Sequence, residues 1–271
     1  MPKEYIFIQA PLENTTSFVH GTSLGPQAFH NAWEHLEKHE AKARLADFSK
    51  IKFRHFDALN FQGQKNEAAL AAVTQIVSRA LSEKSFPILL GGEQTLCVGV
   101  AKAHLNQGTK KISVLHFGAQ LHARDTHEGS TLSHLCALRR AQEAGANIFC
   151  VGTRAGDVEE FSFTKSWSAE LPTMGVIEKK LGGAKQPVHI SINPNIFSPS
   201  EAPSSSYPEP GGQSFEQVSQ YLEKIVKKLN VQSLGIYDLR PIPQNPQTEL
   251  LLARLVQRIV GWHWHRYWKS V

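Results

Sequence analysis

Short apolar runs, several of them rich in β-branched residues, alternate along the chain with longer segments whose apolar residues recur at helical spacing. Tyr5–Ile8, Phe86–Leu90, Ile112–Leu115, Asn147–Val151, Val188–Ile192 and Ser233–Tyr237 read as buried strands. Lys52–Phe56 reads as a short edge strand and Met174–Ile177 as a further strand candidate. Leu70, Val73, Ile76, Val77 and Leu81 predict an amphipathic helix over 66–84. Val218, Tyr221, Leu222, Ile225, Val226 and Leu229 predict another, opened by a Ser214–Gln217 capping box. A helix begins near Gln27 after Pro26, and a last one over 248–262 precedes an aromatic tail through Trp268. This alternation favours one large α/β domain over residues 1–271 rather than two small ones.

In open α/β sheets, ligands sit beyond the carboxyl ends of the strands. Those ends deliver Gly91-Gly92-Glu93-Gln94, then Gly118, Gln120 and His122, then Asn193-Pro194-Asn195, and finally Asp238. The glycine-rich stretch from Gly21 to Pro26 could cradle a phosphate, but no Lys-Ser/Thr follows it, so a turn that aims the next helix is expected.

Several of these segments resemble the ureohydrolases, the arginase and agmatinase family. SVLHFGAQLHARD at 113–125 resembles the strand followed by D-A-H-x-D-x-x-D, and Leu90-Gly91-Gly92-Glu93-Gln94-Thr95 resembles L-G-G-D/E-H-S. Glu128-Gly129 through Ser133-His134 to Arg139-Arg140-Ala141 resembles E-G-x-x-x-S-H-x-x-x-x-R-R-A. Gly152-Thr153-Arg154 resembles G-x-R, and Tyr207-Pro208-Glu209-Pro210-Gly211-Gly212 resembles T-P-E-P-G-G. The resemblance implies a three-layer α/β/α fold with a mostly parallel sheet. It also implies two Mn²⁺ ions that activate a bridging water for attack on a guanidinium carbon, and assembly into trimers or hexamers. His134 falls on the family's proton-shuttling loop histidine, and Asp238 on the glutamate that binds a substrate guanidinium. Arg154 is expected either in an ion pair or as a pocket-lining residue.

The positions that resemble the family's metal ligands are Gln94, Gly118, Gln120, His122, Asn193 and Asn195, with no carboxylate among them. Neutral amides are weak ligands for hard cations and leave their charge uncompensated. The expectation is therefore a metal-free, catalytically inactive relative without a cofactor, its amides and His122 satisfying one another. Such a protein would bind a ligand or act as a subunit, either with copies of itself or with an active paralogue. The alternative is a hydrolase of a guanidino or amidino substrate that uses another metal site. His116, His122, His127 and His134, with Glu93, Asp125 and Glu128, could form a zinc site or a His/carboxylate pair, although His116 reads as a structural core histidine.

The net charge of +5 is dispersed, which argues against nucleic-acid binding, and no apolar run reaches the ~18 residues a membrane span requires. MPKEYIF leads straight into a strand, so a cytoplasmic protein is expected. Cys97, Cys136 and Cys150 lack C-x-x-C spacing and read as buried thiols. His263-x-His265 reads as packing rather than as a metal pair.

Overall fold

The computed structural model describes residues 2–40, 48–108 and 111–268. Eight strands form one sheet in the order β2-β1-β3-β8-β7-β4-β5-β6, and every pairing is parallel. They are β1 (Tyr5–Ala10), β2 (Phe53–His55), β3 (Phe86–Gly91), β4 (Ser113–Phe117), β5 (Asn147–Val151), β6 (Trp167–Ser168), β7 (Pro187–Ile192) and β8 (Asn230–Ile236). A parallel sheet needs cover on both faces, which is why its central strands are buried at nearly every position.

Helices α1 (Gly25–Glu34), α6 (Met174–Lys180), α7 (Phe215–Lys228) and α8 (Gln247–Trp268) cover one face, where Phe29, Ile177, Leu222 and Val256 share a core with Phe7, Phe117 and Ile190. On the other face, α2 (Asn66–Ser82), α3 (Cys97–Asn106) and α4 (Ala137–Glu143) bring Val73, Val100 and Ala141 against Ile8, Leu89 and Val114. The short α5 (Val158–Phe163) follows β5 and is capped at Asp157. The result is a single three-layer α/β/α domain.

The sheet is fully parallel where the sequence suggests only mostly parallel. Met174–Ile177 lies in helix α6 rather than a strand: Thr173 starts the helix and Ile177 is its one buried residue. An apolar run this short does not by itself separate strand from helix. Strand β6 is only two residues long and leaves no periodic signal. The final helix continues through the aromatic segment to Trp268, since His263 is fixed between Tyr5 Oη at 2.8 Å and the Val231 carbonyl at 3.1 Å. All three cysteines are buried free thiols. No helix among the described residues is long and apolar enough to cross a membrane.

Candidate active site

The central strands end level with one another: Leu90 pairs with Ile236, Ile236 with Ile192, and Ile192 with Phe117. The segments that follow are tied together at once, because Asp238 N–H donates to the Gly92 carbonyl at 2.7 Å and Asn193 N–H to Phe117 O at 2.9 Å. Gly92 is required for this closeness, since a Cβ there would collide with the Leu12 carbonyl. Above these ends lies a cleft of about 200 Å³ lined by Phe18, Gln120, His122, His134, Tyr207 and Asp238, among others.

Asp238 forms part of the cleft floor. Its Oδ1 accepts the Gln94 N–H at 3.0 Å and its Oδ2 accepts Asn193 Nδ2 at 2.6 Å, so both flanking amides hold it in place. Burial, aided by the nearby charge of Glu93, pushes its carboxyl up to about 8 against these two donors. No Lys or Arg pairs with it among the described residues. Asp238 adopts φ 59° and His122 φ 48°, left-handed conformations that cost a non-glycine residue about 1 kcal/mol or more.

His122 donates from Nδ1 to the His134 carbonyl at 3.0 Å, which leaves Nε2 buried and without a partner. Burial and the neighbouring His116 hold this imidazole well below its ordinary pKa, so it is neutral. Gln94 spends its Nε2 on Ser191 Oγ at 3.0 Å, and its Oε1 is likewise buried and unpartnered. His116 bonds the same Ser191 Oγ through Nδ1 at 3.0 Å, and burial lowers it to about 3. Its ring fills the space beside Gly118, where a Cβ would lie 3.0 Å from Cε1 and closer still to Nε2.

The expected closed network of amides is thus corrected. Asn195 accepts the Ala119 N–H at 2.9 Å and donates weakly to Gln120 Oε1 at 3.4 Å, while Asn193 turns to Asp238 and Gln94 to Ser191. Gln94 and His122 each keep an atom to spare. His134 sits at the wall, 3.5 Å from both Thr15 Oγ1 and Ser17 Oγ, and burial together with His127 lowers it to about 4.

Arg154 plays neither expected role. It does not line the cleft, and its guanidinium donates to the carbonyls of Gly152, Asn195, Glu209 and Pro210 at 2.7 to 3.2 Å, tying the Pro-Glu-Pro turn to the 193–196 loop. Nor do the carboxylates considered for a zinc site gather there. Glu93 is consumed by Asn14, Thr15 and Thr95, and Asp125 pairs with Arg139 and Arg140. Phe18 and Tyr207, 64% and 42% exposed with ring centroids 5.2 Å apart, were not singled out from sequence as parts of the site. The available signal was Phe18 as a lone aromatic in the polar loop after β1.

Residues 3–261 match the model of the Arginase family. The chain is 26% identical to an agmatinase of Pyrococcus horikoshii over 264 residues, covering 95% of this chain and 91% of the relative. It is 27% identical to the N(1)-aminopropylagmatine ureohydrolase of Thermococcus kodakarensis over 269 residues, covering 95% and 90%. The agmatine ureohydrolase structure of Thermoplasma volcanium superposes with a TM-score of 0.83 at 24% identity, covering 98% and 92%.

These matches overturn the expectation of an inactive binding subunit, because the relatives that share nearly the whole chain are enzymes of guanidino compounds. The expectation of no cofactor falls with it, and the fold does contain a cation-capable side-chain group, His30, Glu34 and His55, away from the cleft. From the family model and the common fold together, the chain belongs to the arginase family.

Proposed function

We propose that the chain hydrolyses the C–N bond of a guanidino or amidino substrate, with Asp238 receiving the substrate's cation at the cleft floor. The observation that carries this reading is a buried carboxylate, facing a cleft, with no cationic partner among the described residues. An arriving guanidinium supplies the missing charge and ionises Asp238, and the pair gains from the low local dielectric. Phe18 and Tyr207 at the mouth offer ring faces suited to a planar cation. The names of the agmatinase and aminopropylagmatine ureohydrolase relatives favour a guanidino group on an amine tail.

Hydrolysis adds water to the guanidinium carbon and releases urea and an amine, which requires a proton to pass from the water to the leaving nitrogen. His134 is the neutral imidazole on the cleft wall that carries this proton. Under the same proposal, Gln94, Gly118, Gln120, His122, Asn193 and Asn195 replace the ligands of a manganese pair. One imidazole and no carboxylate do not fit two such ions. Of these six residues, Gln94 and His122 keep a buried side-chain atom without a partner among the described residues, Oε1 and Nε2 respectively, and His116 Nε2 beside Gly118 is a further one. Self-association, as the family resemblance implies, belongs to this reading and is measured by light scattering.

The test is urea release from arginine, agmatine and longer guanidino amines, each with and without added divalent cations. Turnover on at least one of them, lost in Asp238→Asn, is expected. Absence of turnover on all of them from a folded protein would reject the proposal.

A further inference from the structure

We propose that His30, Glu34 and His55 form a second site, for a divalent transition-metal cation such as Zn²⁺, that clips helix α1 to the edge strand β2. His30 and Glu34 stand one helical turn apart and share a face of α1. His55 ends β2 and lies two residues from Phe53, so strand alternation puts both side chains on one face. That is the face α1 covers, since Phe53 packs against Trp33 of α1 with ring centroids 5.3 Å apart.

One ligand atom from each of the three residues lies within 4.8 Å of the other two. A tetrahedral Zn²⁺ with bonds of roughly 2.0–2.1 Å needs its donors about 3.3–3.5 Å apart. Small rotations of the exposed Glu34 and His55 side chains cover that difference. The two imidazoles are already placed: His55 stacks on Phe7 at 5.1 Å and 19°, and His30 meets it edge-on at 4.9 Å. None of the three side chains makes a hydrogen bond or ion pair among the described residues, so a cation would displace no existing side-chain partner.

Two imidazoles and a carboxylate favour zinc and its transition-metal neighbours over magnesium or calcium, and leave a coordination position for water. The site is independent of the cleft. Strand β2 is the sheet edge, three strands from β8, or about 14 Å at the usual strand spacing. Its physical consequence would be structural, because β2 has three residues and, among the described residues, pairs with β1 alone. A cation bound only in the folded state would stabilise that edge by mass action.

The test is calorimetric titration of chelator-treated protein with Zn²⁺, alongside thermal denaturation. One zinc per chain is expected at this site, with a rise in Tm. Binding should weaken more than about tenfold in His55→Ala and in the milder His30→Asn, as expected on losing a ligand. His122→Gln, in the cleft, should retain it, which separates this site from any zinc bound there. Absence of binding to the parent protein, binding unchanged in both His30→Asn and His55→Ala, or binding lost in His122→Gln alone would each overturn the proposal.

Discussion

Asn193 Nδ2 donates a 2.6 Å hydrogen bond to Asp238 Oδ2, joining the loop after β7 to the loop after β8 beneath the cleft. An amide donates here without adding charge, whereas a carboxylate at position 193 would face another carboxylate. Asn193→Asp should therefore force the two to share one proton and raise Asp238 further. The added group would have a folded pKa above its unfolded value, so its contribution is favourable at low pH and lost as pH rises. Thermal denaturation should show the variant close to the parent at pH 4–5 and destabilised by about 1–3 kcal/mol at pH 9. An equal deficit at both pH values would show that charge is not the cause.

Gly118 and His116 are coupled by space. Gly118→Ala pushes a Cβ into the imidazole, in a buried region where overpacking typically costs about 1–3 kcal/mol. The double variant Gly118→Ala/His116→Ala should be more stable than the sum of the single effects predicts, because removing the ring removes the collision. Strict additivity in denaturant melts would contradict the contact.

The pH dependence of catalysis should follow Asp238. With its carboxyl pushed up to about 8 in the free protein, the form that pairs with a guanidinium accumulates as pH rises through that value. kcat/KM should increase with pH, with an inflection near pH 8 that belongs to the free protein. A flat profile in the parent protein across pH 7–9 would count against this assignment.

Much of the fold was legible because buried parallel strands leave unbroken apolar runs, and seven of the eight strands have such a run or edge signal. The one strand that escaped is the two-residue β6, and the one false strand, at Met174–Ile177, buries only Ile177. Within the site, the positions following each strand end could be read directly, since the chain must emerge there. Their pairings could not. Ser191 is an ordinary strand residue until the register with His116 brings it to both that ring and Gln94. Likewise, nothing in the spacing of Arg154 announces that carbonyls from residues over fifty positions away would surround it. The inactive reading rested on ligand types at six positions alone, and it is the near full-length match to an agmatinase and an N(1)-aminopropylagmatine ureohydrolase that overturns it.

Acid stability should be set by buried neutral histidines. Burial lowers His104 to about 4 and both His116 and His263 to about 3, from about 6.5 in the unfolded chain. Groups lowered in the folded state contribute stability above the unfolded pKa and lose it as pH falls towards the folded value. Tm should decline progressively below pH 6.5, and His104→Gln should reduce the steepness of that decline. A Tm independent of pH between 6.5 and 4 would contradict the neutral, buried assignment.

The most direct test is proton release on guanidinium binding, measured by calorimetry near pH 7 in buffers of different ionisation enthalpy. Asp238 is mostly protonated there, so binding of a guanidino ligand should release close to one proton per site, and none in Asp238→Asn. Binding without proton release, or release that persists in Asp238→Asn, would contradict Asp238 as the group that receives the substrate's charge.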